Sequence, residues 1–185
     1  DHRDLHSFPT RRSSDLAYSP VNKGKLPPTV IDAQCLFMQH APMTVNWTFN
    51  TLDKSDSFTM KGVLKNVSSE KVNPVSKPLM NVETNGHLKE VRFTFNGNRE
   101  SGSGTFAIDY EDLKVDMYKK DGKKKNKLMT AIGNLLVKND SKGELKEVQV
   151  SVPRGKDKSV FNFLWKFLQQ GLKQTILPKI VDKVT

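Results

Sequence analysis

Hydrophobic and polar residues alternate with two different periods along this chain. Val45, Trp47 and Phe49 alternate with Thr44, Asn46, Thr48 and Asn50, a period of two that predicts a strand with one apolar face. The polar turn Asp53-Lys54-Ser55-Asp56 follows, and Phe58, Met60 and Leu64 resume the alternation. Thr29 to Met38 predicts a weaker strand, because Val30, Cys35 and Phe37 are unevenly placed. Further on, Val91, Phe93 and Phe95 face one way while Arg92, Thr94 and Asn96 face the other. Asn96-Gly97-Asn98 is a turn signal, so the next strand closes a hairpin. That strand is long, with Phe106, Ile108 and Tyr110 followed by Leu113, Val115 and Met117. Its phase slips by one residue near Asp112, which predicts a β-bulge. Val148, Val150 and Val152 give a last short strand.

Helical spacing appears in three places. Asn73 followed by Pro74 is a helix-start signal, with a stop near Pro78. Leu128, Ile132, Leu135 and Leu136 fit a helix over Leu128–Val137. The strongest pattern runs from Val160 to about Leu177, capped by Asp157 or Ser159 and ended by Pro178. Phe161, Leu164, Trp165, Leu168, Leu172 and Ile176 form its apolar stripe, widened by Val160 and Phe167. The expected fold is therefore mainly β: an antiparallel, curved, groove-like sheet with two or three short helices, the last one amphipathic and C-terminal.

The first sixteen residues fit neither period. DHRDLHSFPTRRSSDL can be read back, codon by codon, into a string that resembles the adapter ligated to fragments for short-read sequencing. We expect residues 1–16 to be an artefact of assembly and the native N-terminus to be missing, and exclude them from fold reasoning. The remaining expectation is an irregular lead-in over 17–28, one β domain over 29–156 with inserted helices, the amphipathic helix over 157–178, and a tail over 179–185.

Charge narrows the partners. The net charge is +10, and the excluded segment carries three Arg and three Asp, so it does not alter that value. Such a balance suits an acidic partner, either nucleic acid or an anionic membrane surface, or else a solvated lysine-rich surface. The loop Lys119–Lys127 concentrates six lysines and is the candidate nucleic-acid grip, although it lacks interleaved aromatics. Cys35 is the only cysteine, which excludes an internal disulfide. No run reaches the ~18 apolar residues needed to span a bilayer.

Catalytic chemistry is hard to find. His40 and His87 stand alone, and no metal-binding helix, phosphate loop or nucleophile elbow is present. Asp109 and Glu111 would share a sheet face beside Asp112, so a carboxylate pair is conceivable, but the solvent side of a sheet is the better account of them. Gly97, Gly102 and Gly104 read as hairpin punctuation. We expect no enzyme and no cofactor.

A one-faced antiparallel sheet must cover its apolar side. The chain's own helices are one cover, and an acyl chain is another. Burying a methylene is worth about 0.8 kcal/mol, so a lipid of about 32 methylenes faces a cost on the order of 25 kcal/mol in water. A continuous apolar track removes most of that cost without any chemistry. The lipid-facing candidates are Val45, Trp47, Phe49, Val91, Phe93, Phe95, Phe106 and Ile108. Phe161, Leu164, Trp165 and Leu168 are candidates for capping the groove or touching membrane.

Five stretches carry a family resemblance: NPVSKPL at 73–79, NGHLKEVRFTF at 85–95, GTFAIDYEDLKV at 104–115, AIGNLLVKN at 131–139 and KSVFNFLWK at 158–166. Together, over about Thr29 to Leu177, they resemble the C-terminal region of AsmA-like envelope proteins. The resemblance implies a periplasmic β-groove, anchored in the inner membrane through an N-terminal segment and serving phospholipid transport or outer-membrane integrity. It implies phospholipid, and an outer-membrane surface or protein, as partners. It supplies no catalytic residues.

Overall fold

The computed structural model describes residues 27–119, 125, 126, 130, 141 and 143–176. The adapter-like segment, most of the lead-in and lysine run, all of the predicted helix Leu128–Val137 except Thr130, and the tail lie outside the described residues.

Six strands form one antiparallel sheet: β1 (Thr29–Phe37), β2 (Ala41–Phe49), β3 (Phe58–Ser68), β4 (Val82–Gly97), β5 (Ser101–Met117) and β6 (Lys146–Pro153). Their spatial order is their sequence order, and the sheet does not close, so β1 and β6 are edges. The predicted mainly β, antiparallel, open architecture is what the chain adopts. The β1–β2 turn bends through Met38 and Gln39, both left-handed (φ 49 and 64).

Register aligns the alternating residues into rows across one face. Ala33, Val45, Gly62, Phe93, Phe106 and Val148 are successive partners. Ile31, Trp47, Met60, Phe95, Gly104 and Val150 form the next row. In these rows a glycine stands beside an aromatic residue, Gly62 next to Phe93 and Gly104 next to Phe95. A Cβ placed on Gly62 would lie 2.2 Å from Phe93 Cε1, so the Phe93 ring lies flat over the gap that Gly62 leaves. Gly102 plays the same part for Phe95. Of the three glycines expected to punctuate the hairpin, Gly97 and Gly102 thus lie under aromatic rings, and Gly104 lies against the Thr94 carbonyl. The β4–β5 turn depends instead on Asn98, whose Oδ1 accepts from the Glu100 and Ser101 amides at 2.8 and 2.9 Å.

The expected bulge is present. Asp112 is left-handed (φ 50), and Asp112 with Leu113 opposes the single residue Gly86. A second irregularity lies on the opposite strand, where Lys89 is the extra residue between Leu88 and Glu90. The two insertions offset one another, so Leu88 and Leu113 both stay buried although the alternation slips.

Helix α1 (Asn73–Met80) sits between β3 and β4 and ends at left-handed Asn81. It follows a 3-10 turn over Ser69–Val72. Asn73 does not cap it, contrary to the expected role. Its side chain instead pairs with the Thr84 backbone, Oδ1 accepting from N–H at 2.8 Å and Nδ2 donating to the carbonyl at 2.9 Å. The far end is tied to the sheet by Lys77 Nζ to Glu83 Oε1 at 2.8 Å, with Tyr118 donating to the same carboxylate.

Helix α2 (Val160–Ile176) packs on the apolar face over β5 and β6. Its buried line is Phe163, Phe167, Gly171 and Thr175; of the predicted stripe, Phe167 lies on that line and Val160, Leu164, Leu168 and Leu172 pack against the core as its flank, whereas Phe161 is 67% exposed. The cause is shape. Gly171 lets the helix settle directly on Phe106, and that contact, together with the i, i+4 pair Phe163/Phe167, sets the rotation. Phe167 stacks on Phe95 at 4.4 Å between ring centres, and Phe163 meets it edge-on at 4.8 Å. Fully burying each ring is worth about 1.5–3 kcal/mol.

Candidate functional site

The apolar face divides into a sealed part and an open part. Under α2 the chain covers itself: Phe95, Phe106 and Ile108 are at most 1% exposed. These three predicted lipid-facing residues are core. The other five, Val45, Trp47, Phe49, Val91 and Phe93, remain half-buried. Phe93 meets Phe167 at 6.4 Å, and Val91 lies between Leu64 and Ile108 in its row.

Beyond β3 the burial falls away. On β2 and β1, Met43, Val45, Trp47 and Phe49 are half-buried, Cys35 is exposed, and Ile31 is 44% exposed, although all share the apolar face. The result is an apolar bay with β1 and β2 as its floor and the flank of α2 as one side. From Phe49 to Met43 it runs about 20 Å along the strand. A chain of ring contacts joins it to the sealed core: Phe49 to Trp47 at 5.1 Å, Trp47 to Phe58 at 6.4 Å, and Phe58 to Phe95 at 5.5 Å. Cys35 and Ile31 were missed because uneven spacing hid the alternation of β1, whose pairing with β2 places them; Met43, in β2, extends the regular alternation of Val45, Trp47 and Phe49 and was legible though not named.

One end of the bay deepens into a pocket of about 200 Å³, lined by Trp47, Phe49, Phe58, Val160, Arg154 and Asp56. Arg99 Nε donates to Asp56 at 2.8 Å, a bond that raises the Arg99 pKa. Arg154 Nη1 donates to the Asn98 carbonyl at 3.0 Å, and its guanidinium lies 5.7 Å from the Phe163 ring centre. A wider open hollow of about 490 Å³ adjoins it, with Thr48, Thr59, Asn96 and Ser103 among its polar lining.

Of the predicted helix residues, Leu164, Trp165 and Leu168 are half-buried along α2, whereas Phe161 points outward. The acidic residues are engaged separately. Ser141 donates to Asp109, and Lys89 Nζ pairs with Glu111 Oε2 at 3.2 Å, so no carboxylate pair forms. His40 lies in the exposed β1–β2 turn and His87 in β4. Among the described residues no cluster of three or more His, Cys, Asp or Glu could hold a metal, and no helix is long and apolar enough to cross a membrane. Lys125, from the lysine run, is held by Asp116 at 2.6 Å, which raises its pKa. No family model, curated protein or solved structure matches the chain.

Proposed function

We propose that this chain is a non-catalytic lipid-handling end module of an AsmA-like periplasmic protein, whose open bay receives the acyl chains of phospholipid. The single observation that carries the reading is the gradient of burial on the apolar face: α2 buries Phe95, Phe106 and Ile108, whereas Met43, Val45, Trp47 and Phe49 stay half-buried and Ile31 and Cys35 exposed. In this reading the working surface is Met43, Val45, Trp47 and Phe49 with Ile31 and Cys35. Phe95, Phe106 and Ile108 hold the shape behind it. Phospholipid transport or outer-membrane integrity is the role such a bay serves, and the exposed Phe161 suits a membrane surface.

The test uses Cys35, the only cysteine. An environment-sensitive fluorophore attached there should shift to the blue when delipidated protein meets phospholipid, and Val45→Glu should remove the shift while the protein stays folded. No shift with any phospholipid would end the proposal.

The burial of Phe95, Phe106 and Ile108 favours a second reading, a structural β-domain that only covers itself. Bound lipid recovered by mass spectrometry from purified protein argues against it. The nucleic-acid reading draws no support from Lys125, whose charge is already paired.

A further inference from the structure

We infer that the basic turn after β6, Arg154 to Lys158, together with Lys166, seats the phosphate group of the amphiphile whose chain lies in the bay. This rests on the lipid reading and names the residues that would hold the headgroup, which that reading leaves unassigned.

Four observations converge on that end of the bay. First, the pocket changes character over a short distance. Trp47, Phe49, Phe58 and Val160 make an apolar wall, and Arg154 lines the same pocket. An amphiphile has the same layout, a chain followed by a charged head. Second, Arg154 is fixed in place while keeping donors to spare. Its Nη1 is committed to the Asn98 carbonyl, its backbone N–H donates to the Glu100 carbonyl at 2.9 Å, and its guanidinium lies by the Phe163 ring. Nε and Nη2 have no partner among the described residues. A planar guanidinium held this way offers two parallel donors to phosphate oxygens.

Third, further cations gather around the same turn. A Cβ placed on Gly155 would lie 3.0 Å from Lys158 Cγ and 3.7 Å from Lys166 Nζ, so both lysines fold over the backbone next to Arg154. The turn is closed by the Lys158 amide donating to the Gly155 carbonyl at 3.2 Å. Fourth, the nearby carboxylates do not cancel this charge. Asp56, which also lines the pocket, is held by Arg99 Nε, and Asp157 is the one other acid of the turn. Arg154, Lys156, Lys158 and Lys166 outnumber it. The first turn of α2 begins at Val160 in the same pocket and adds its positive dipole end.

Three soluble probes, used below their micellar concentrations, test the assignment on the full chain labelled at Cys35: a lysophosphatidylglycerol, a monoacylglycerol with the same acyl chain, and glycerol phosphate. The lysophospholipid should bind about tenfold more tightly than the neutral monoacylglycerol. Arg154→Gln should bring it down to the monoacylglycerol level and leave monoacylglycerol binding unchanged. Arg154 also supports Asn98 and Phe163, so the double variant Lys158→Gln/Lys166→Gln gives an independent reading that touches neither; it should lower lysophospholipid affinity alone. Equal affinity for the charged and neutral lipids, unaffected by both variants, overturns the headgroup seat and leaves the apolar bay standing. Binding of neither lipid overturns both. Glycerol phosphate binding as tightly as the lysophospholipid would make the turn a free-phosphate site and also overturn the assignment.

Discussion

Phe106 lies directly against Gly171: a Cβ at position 171 would come 2.4 Å from Phe106 Cγ and 2.7 Å from its Cβ. Those atoms sit at the root of a side chain that is itself 1% exposed, so neither partner can swing away. In an ordinary helix interior Gly→Ala stabilises by about 0.5–1 kcal/mol. Here Gly171→Ala should instead destabilise, by about 1–3 kcal/mol, because α2 must lift off the sheet. Urea unfolding of the single variant measures it, and a gain in stability would show that α2 does not rest on Phe106.

Phe167→Ala should be more damaging. The ring is fully buried and packs on both Phe93 and Phe95. A loss of about 3–5 kcal/mol is expected, visible in denaturant unfolding. Phe161→Ala, on the outward side of the same helix, should stay within about 0.5 kcal/mol of the parent.

Acid should loosen the β2–β3 turn in a defined window. Asp53 accepts from the Ser55 amide and hydroxyl and from the Ser57 amide, which lowers its pKa from 3.8 to about 2. A carboxyl with a depressed pKa stabilises the fold while ionised. Its contribution is present above pH 3.8 and disappears as the pH falls through about 2. Asp53→Asn should therefore melt lower than the parent at neutral pH, and the difference should close between those two values. A gap that stayed constant down to pH 2 would count against the turn's role.

Trp47 and Trp165 are the only tryptophans, so brominated acyl chains can report where lipid lies. Quenching should fall on Trp47 and be lost in Trp47→Phe. In that variant a remaining signal of equal size, coming from Trp165, would relocate the lipid to α2.

The sheet was largely legible because its rule is local: a period of two fixes which side chains share a face, and polar turns such as Asp53–Asp56 mark the reversals. The bulge at Asp112 was readable as a slipped phase. Its counterpart at Lys89 was not, since the slip from Leu88 to Val91 is hidden among polar residues. The helix rotation was also beyond reach. A helical wheel weighs each apolar residue alone, whereas Gly171 earns its place on the buried line by having no side chain at all. For the site, Trp47 and Phe49 were visible as alternating aromatics. The division into sealed and open halves was not, because it depends on how far α2 extends across the strands.

The strictly sequential order of the strands has a final implication. Every strand leans only on the strands just before and after it in the chain, so this sheet is wired like a ladder rather than a knot. Whole hairpins can be gained or dropped at the β1 side without rerouting anything else, and insertion or deletion of such a unit changes the extent of the apolar face while leaving the helix-locked end as it is.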